Sequence, residues 1–147
     1  MKKILIMGLP SAGKTTLAKE LIDQLINKGK TVKWFNADQV RKENDDWDFS
    51  DKGRLRQAAR MFQLSKDVTS DFVVCDFVCP TPLLRLIYAP DFTIWVDTIK
   101  ASEFDDTNDI FTPPTHFDFR VVQKNAEHYA ALIVDLIIDH KGNNEIL

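Results

Sequence analysis

Short runs of apolar residues alternate along this chain with longer segments in which apolar residues recur at a helical period. The runs have the length and composition of buried strands, and they occupy residues 3–7, 31–35, 72–75, 92–96 and 117–122. The helical period predicts four helices, over residues 15–28, 55–68, 83–88 and 125–142. Strands that alternate with helices favour a three-layer α/β fold, in which helices cover both faces of a mainly parallel five-stranded sheet.

The stretch from residue 99 to residue 116 interrupts this alternation. It is polar and acidic and contains Pro113-Pro114, so we expect a loop there. With 147 residues, of which 44% are hydrophobic, the chain has the length of one domain with a sizeable core. We therefore predict a single domain over residues 1–147.

The net charge and the cysteines indicate which kinds of molecule the protein binds and in which compartment it lies. Nineteen basic residues against 22 acidic ones give a formal charge of −3, which favours neither nucleic acid nor an anionic membrane as a partner. No apolar run in the sequence approaches the roughly 20 residues that span a bilayer. Cys75 and Cys79 are predicted to be reduced thiols. These features lead us to expect a cytoplasmic protein with small-molecule ligands.

The strongest signal for function lies between the first strand and the first helix. The segment fits the pattern G-x-x-x-x-G-K-[ST], in which a glycine-rich turn binds a polyphosphate chain, and it has the strand-before, helix-after placement that the motif requires. Its residues are Gly8, Leu9, Pro10, Ser11, Ala12, Gly13, Lys14 and Thr15, followed by Thr16. The alternative is a tight connection without a ligand, which leaves the match in both pattern and placement unexplained.

The chemistry of this P-loop follows from its backbone and three side chains. Backbone N–H groups and the positive end of the helix dipole bind the phosphates. Lys14 reaches the β and γ phosphates, Thr15 Oγ1 is a ligand for Mg²⁺, and Thr16 reaches a neighbouring phosphate oxygen. We therefore predict a P-loop NTPase fold that binds nucleotide through residues 9–16, with ATP or GTP as phosphate donor and Mg²⁺ as cofactor.

Phosphoryl transfer also needs carboxylates near the metal and the acceptor. Asp76 follows the third predicted strand, where a carboxylate holds Mg²⁺ directly or through water. Asp38 follows the second, where it holds the metal or accepts the proton of the attacking hydroxyl. We predict that Lys14, Asp38 and Asp76 are catalytic and that both carboxylates join Thr15 at the metal. The alternative for each aspartate is a structural role as the cap of the next helix.

Several further elements resemble, in order, those of the adenylylsulfate kinases, which transfer the γ-phosphate of ATP to the 3′-hydroxyl of adenylyl sulfate. Besides the P-loop, the elements that carry the resemblance are Asn36-Ala37-Asp38-Gln39-Val40-Arg41, Phe49-Ser50 with Arg54, Phe77-Val78-Cys79-Pro80, Val96-Asp97-Thr98 and Phe111-Thr112-Pro113-Pro114. The P-loop is specific for nucleotide. The other elements are short, and their common order is what makes the resemblance.

The resemblance implies an ATP- and Mg²⁺-dependent kinase of sulfate assimilation that acts on adenylyl sulfate or a similar nucleotide-like hydroxyl compound. It implies that Asp38 lies at the metal and the acceptor. It also implies that Arg41, Phe49, Arg54 and Gln57 surround the adenylyl sulfate, and that the protein is a homodimer.

The chain departs from the family pattern on both sides of the predicted site. Asn36 and Ala37 stand where the family has an acidic residue and a glycine. Gly53 replaces an aspartate, and Asp76 replaces a serine and so offsets the carboxylate lost at position 36. Where the family has a long basic lid after the fourth strand, residues 99–116 form a shortened, acidic region. Two alternatives therefore stay open: a kinase for a different small acceptor, and a nucleotide-binding protein with little transferase activity.

Overall fold

The computed structural model describes residues 2–146, and the side chains of residues 2–138. Its sheet consists of β1 (Lys2–Met7), β2 (Val32–Asn36), β3 (Phe72–Asp76), β4 (Phe92–Val96) and β5 (Phe119–Val121). The strands lie in the order β2-β3-β1-β4-β5, and every neighbouring pair is parallel. The predicted fold class is confirmed, although β5 is shorter than the run at 117–122.

Six helices flank the sheet within the described part of the chain. They are α1 (Lys14–Asn27), α2 (Ala37–Glu43), α3 (Asp51–Lys66), α4 (Pro82–Tyr88), α5 (Asp105–Ile110) and α6 (Ala126–Ile146). Helices α1 and α6 pack together on one face of the sheet, and α3 and α4 pack together on the other. No helix among residues 2–146 is long and apolar enough to cross a membrane.

The central strand shows why the apolar runs form this sheet. Successive side chains of a strand point to opposite faces. In β1, Ile4 and Ile6 enter the core beneath α1 and α6, whereas Leu5 and Met7 enter the core beneath α3 and α4. All four are 0% exposed. A strand covered on both faces needs an unbroken apolar run, which is what its sequence has.

Helix α2 rules out the alternative role of Asp38 as the cap of the next helix. The helix begins one residue earlier than Asp38, and Asn36 caps it, because Asn36 Oδ1 accepts a hydrogen bond of 2.9 Å from the backbone N–H of Gln39. Asp38 therefore lies in the first helical turn, and its carboxylate is available for another role.

Helix α5 corrects the prediction of a loop over the whole of residues 99–116. The six-residue helix has too few apolar positions to show a period, and local polar bonds fix the segment instead. Ser102 and Asn108 exchange three hydrogen bonds of 2.8 Å. The last helix, α6, also continues past the predicted end at Gly142.

Candidate active site

The P-loop turns from β1 into α1 through backbone conformations that require glycine. Gly8 has a φ of +153°, and a Cβ added there would overlap the carbonyl oxygen of Val96. Gly13, the N-cap of α1, has a φ of +105°. Residues with a side chain rarely adopt either value, so both glycines of the motif are needed to form the turn.

Three side chains hold the P-loop by donating hydrogen bonds to its carbonyl oxygens. The pairs are Lys14 Nζ with Leu9 O at 2.9 Å, Thr98 Oγ1 with Ala12 O at 2.6 Å, and Lys124 Nζ with Ser11 O at 3.1 Å. The first N–H groups of α1 have no acceptor within the helix. Residues 10–16 line the adjoining cavity, whereas Leu9 does not. The turn therefore offers the backbone donors that a polyphosphate binds.

Lys14 is a partly buried lysine close to the two aspartates that we predict to be catalytic. Burial lowers the pKa of Lys14 to about 8, and the negative charges of Asp76 and Asp38 oppose this shift. A polyphosphate beside Lys14 would add negative charge and favour the ammonium form. The electrostatic environment of this side chain is thus suited to an anionic ligand.

Asp76, at the end of β3, is 2% exposed and is held by three neighbours. Its carboxylate accepts hydrogen bonds from Thr15 Oγ1 at 2.9 Å, Trp34 Nε1 at 3.1 Å and Asn36 Nδ2 at 3.1 Å. Burial raises the pKa of Asp76, and the bonds from Trp34, Thr15 and Asn36 counter that effect. The register of β2 against β3 pairs residue 36 with residue 76 and so brings this cluster together.

Asp38 is exposed, lies in the first turn of α2 and lines the same cavity. The side chain of Asn36 links Thr15 to α2, because its amide nitrogen approaches Thr15 Oγ1 at 3.3 Å while its oxygen caps α2.

Together, Thr15, Asp38 and Asp76 present the oxygen ligands that Mg²⁺ prefers. Magnesium usually keeps several waters and binds few protein groups, so this donor set fits it. Within residues 2–138 no three His, Cys, Asp or Glu side chains form a metal site by themselves.

The four residues predicted to bind the acceptor also line the cavity. The ring of Phe49 lies 4.3 Å from the guanidinium carbon of Arg41 and 5.4 Å from that of Arg54, measured to the ring centroid. Phe49 is exposed, whereas both arginines are buried. Gln57 is buried as well, and its Nε2 donates a hydrogen bond of 3.0 Å to the carbonyl oxygen of Ala37. This bond joins α3 to α2 beneath the cavity.

Both arginines donate hydrogen bonds to backbone carbonyl oxygens of the protein itself. Arg41 Nη1 donates to the carbonyl oxygens of Asp46 and Asp48, at 3.0 and 3.2 Å. Arg54 Nε donates to the carbonyl oxygen of Phe49 at 2.8 Å. These bonds fix the loop between α2 and α3, and they reduce the number of donors left for an acceptor.

The same loop is anchored from the other side by Asp46. Its carboxylate accepts bonds of 2.7 Å from Arg56 and 2.9 Å from Arg60, which hold the pKa of Asp46 well below its usual range. The loop passes so close to α3 that a Cβ on Gly53 would overlap the carbonyl oxygen of Asp48. The glycine that replaces the family's aspartate is therefore required by the path of this loop.

The acidic segment of residues 99–116 reaches the part of the cavity near Arg54 through α5. Phe104, Asp106 and Thr107 line the cavity. Arg54 Nη2 lies 3.5 Å from Asp106 Oδ2 and donates a hydrogen bond of 3.3 Å to Thr107 Oγ1. The acidic segment is thus part of the cavity wall, and its charge bears on what the cavity binds.

The sequence did not predict that Thr98 and Lys124 line the cavity, and Asp97, in one of the elements of the family resemblance, does not line it. Asp97 follows β4 at the predicted edge, but it pairs with Arg120 at 2.6 Å and is not among the lining residues. The bonds that Trp34 donates to Asp76 and Thr98 donates to Ala12 depend on strand order, so the sequence near each residue did not predict them. Lys124 follows the fifth strand at the ligand-binding edge, and that position was the available signal.

All of these lining residues enclose one cavity of about 950 Å³. That volume is at the upper end of the range for small-molecule sites. Its lining includes the P-loop, the Thr15–Asp76 pair, and the Phe49 ring with Arg41 and Arg54. A donor nucleotide and a second small molecule can therefore meet in it.

Sequence comparison identifies a family model that covers more than half of the chain. Residues 2–87 match the model described as adenylylsulphate kinase. The matched segment begins in β1 and ends in α4, so it includes the P-loop, Asp38, Asp76 and the residues around Phe49. No curated protein sequence matches the chain significantly.

Solved kinases share the fold. The APS kinase CysC of Mycobacterium tuberculosis, in complex with AMPPNP and APS, superposes with a TM-score of 0.80 at 18% identity, over 92% of this chain and 96% of that one. A hexameric APS kinase from Thiobacillus denitrificans gives 0.72 at 21% identity, over 95% of this chain and 29% of that one. Shikimate kinase from Acinetobacter baumannii, in complex with shikimate, gives 0.63 at 14% identity, over 96% and 95%. At such identities the superpositions establish a common fold.

Proposed function

The chain belongs to the adenylylsulfate kinase family, and from that premise we propose that it transfers the γ-phosphate of ATP to the 3′-hydroxyl of adenylyl sulfate. Family membership makes it a P-loop kinase. The identity of the acceptor and the role of each residue are what the proposal adds.

The observation that carries the proposal is that two different groups of residues line the same cavity. One part has the P-loop with Lys14, suited to a polyphosphate. Another part has the exposed ring of Phe49 beside Arg41 and Arg54, suited to a flat, anionic molecule. Adenylyl sulfate has both a planar base and an anionic group.

On the donor side, the P-loop and Lys14 bind and orient the phosphates. Thr15 and Asp76 would hold Mg²⁺, which when bound offsets the negative charge on the phosphate oxygens during transfer. Asn36 and Trp34 keep the carboxylate of Asp76 fixed in orientation, so the metal ligand needs no rearrangement before the reaction.

On the acceptor side, we assign to Asp38, which is exposed and lines the cavity, the role of accepting the proton of the attacking hydroxyl. In the transfer, the bond from the acceptor oxygen to the γ-phosphorus forms while the bond from that phosphorus to the leaving oxygen of ADP breaks. Phe49, Arg41 and Arg54 orient the acceptor, and Gln57 positions α3 against α2.

A coupled assay of ADP release tests the proposal. Purified protein is supplied with Mg²⁺, with ATP or GTP, and with or without adenylyl sulfate. We expect release with ATP that depends on the acceptor and is abolished in Lys14→Met, while the matched variant Lys19→Met, at an exposed position of α1, stays close to wild type. Nucleotide binding without ADP release above the no-acceptor rate would instead support a nucleotide-binding protein with little transferase activity.

A second candidate is a kinase of the same family that acts on a different small hydroxyl compound. The favouring observation is the engagement of Arg41 and Arg54 with the loop carbonyls and with Asp106, which leaves fewer donors for a sulfate or phosphate group. The same assay with a panel of less anionic hydroxyl acceptors separates the two candidates, because only the true acceptor raises ADP release.

A further inference from the structure

Helix α5 brings a carboxylate to the part of the cavity where we place the acceptor. Asp106 Oδ2 is 3.5 Å from Arg54 Nη2, and the neighbouring Thr107 accepts a hydrogen bond from the same nitrogen. Both residues line the cavity. Arg54 therefore already has an anionic partner on the protein before any acceptor binds.

The position of Asp106 is fixed at both ends of its helix. At its start, Ser102 before the helix exchanges three hydrogen bonds with Asn108 within it. After it, the carbonyl oxygen of Thr112 accepts a bond of 2.6 Å from Arg85 Nη2. The helix is thus tied to the rest of the fold, and the approach of Asp106 to Arg54 is a consequence of those ties.

The two partners differ in burial. Arg54 is 8% exposed, whereas the side chain of Asp106 is 70% exposed. An ion pair with one solvated partner contributes little to stability and is screened by salt. Thr107 and the carbonyl oxygen of Phe49 still hold Arg54 if the carboxylate is lost. Removing the charge of Asp106 should therefore change the electrostatics of the cavity and leave the fold intact.

We infer that Asp106 is a specificity-determining residue, whose carboxylate on the lid competes with the anionic group of the acceptor for Arg54 and disfavours acceptors of higher negative charge. This inference rests on the proposed function, because it takes the Arg54 side of the cavity as the acceptor site. It gives the acidic segment of residues 99–116 a role in selecting acceptors by charge.

The test is equilibrium binding of adenylyl sulfate and of uncharged adenosine to wild type, Asp106→Asn and Asp105→Asn. Asp105 is exposed on the same helical turn and is not a lining residue, so its variant makes the same charge change away from the cavity. We expect Asp106→Asn to bind adenylyl sulfate about three- to tenfold more tightly at low salt. The gain should shrink at high salt, with adenosine binding unchanged and Asp105→Asn close to wild type.

Equal affinities in the two variants, an equal change for both ligands, or no binding of adenylyl sulfate to wild type and Asp106→Asn would each overturn the inference. Turnover of adenylyl sulfate is measured on the same samples. Tighter binding in Asp106→Asn without turnover in any protein would refute adenylyl sulfate as the acceptor and still support charge selection at Arg54. Turnover of adenylyl sulfate without a charge-dependent change in binding would support adenylyl sulfate as the acceptor and refute charge selection at Arg54.

Discussion

The hydroxyl of Thr15, at the start of α1, donates a hydrogen bond of 2.9 Å to Asp76 at the end of β3. The bond joins the P-loop to a strand end 61 residues away in sequence. It sets side by side two oxygen-bearing side chains that we predict to be ligands of a phosphate-bound Mg²⁺. Asp76 stands where the family resemblance has a serine, so this pair is a feature of the present chain.

Replacing Asp76 by asparagine should impair the metal-dependent step. We expect kcat to fall by about tenfold to hundredfold and the Mg²⁺ concentration for half-maximal rate to rise, because the variant lacks a negatively charged ligand. Steady-state rates across a Mg²⁺ titration measure both effects. Asp97→Asn is the matched control, since Asp97 also ends a strand but pairs with Arg120 outside the cavity; equal effects in the two variants would contradict the role of Asp76.

The lowered pKa of Lys14 should appear in the pH dependence of folding. Between about pH 8, the pKa in the fold, and 10.5, the ordinary lysine value, the unfolded chain binds more protons than the folded protein at this site. The free energy of unfolding therefore rises with pH across that window, because the cost of burying the charged Lys14 is fully present below about pH 8 and is relieved as the ammonium group loses its proton.

Denaturant unfolding of the ligand-free protein between pH 7.5 and 10.5 measures this effect, with Lys14→Met as the reference. The difference between the two proteins isolates the contribution of Lys14 from that of all other titratable groups. We expect the stability of the wild type to increase with pH relative to the variant. Parallel curves would mean that Lys14 has an ordinary pKa in the fold.

Thr98 should act as a positioning residue for the P-loop, because its hydroxyl donates a bond of 2.6 Å to the carbonyl oxygen of Ala12. We expect Thr98→Val to raise KM for ATP about tenfold and to lose about 1–3 kcal/mol of stability, since a carbonyl loses its partner. Thr98→Ser, which keeps the hydroxyl, should restore most of both. Failure of serine to rescue KM would mean that the methyl group, and so packing, is what matters.

Gly53→Ala should destabilise the protein, against the usual preference of helices for alanine. An alanine Cβ at this position in α3 would overlap the carbonyl oxygen of Asp48. We expect a loss of about 1–3 kcal/mol, where the helix preference alone predicts a gain of up to about 1 kcal/mol. Thermal unfolding measures the change, with Lys52→Ala at the preceding exposed position as control. A stabilised Gly53→Ala would show that the loop moves freely.

Local sequence patterns predicted the features that depend on neighbouring residues. The P-loop is one continuous segment, and the inner strands β1 and β3 are apolar runs buried on both faces, so the fold class was predicted correctly. Helices α2 and α5 have only seven and six residues, and their ends are fixed by polar side chains such as Asn36 and Ser102, which leave no periodic signal.

Contacts between segments that are distant in sequence could not be predicted from the sequence. The cluster around Asp76 requires β2 to lie beside β3, and several strand orders satisfy the same apolar pattern. The approach of Asp106 to Arg54 spans 52 residues and depends on where α5 is tied. The assignment of functional roles to Asp38, Arg41, Phe49, Arg54 and Gln57 stays a prediction, although the fold does bring all five to one cavity.

Transfer of the γ-phosphate to adenylyl sulfate in this cavity can be followed by the position of a label in the product. Wild type and Lys14→Met are incubated with Mg²⁺, adenylyl sulfate and ATP labelled in the γ-phosphate, and the products are separated. We predict that wild type places the label on the 3′-oxygen of adenylyl sulfate and that Lys14→Met does not. Label found only in ATP and inorganic phosphate, or transferred equally by both proteins, would contradict the account.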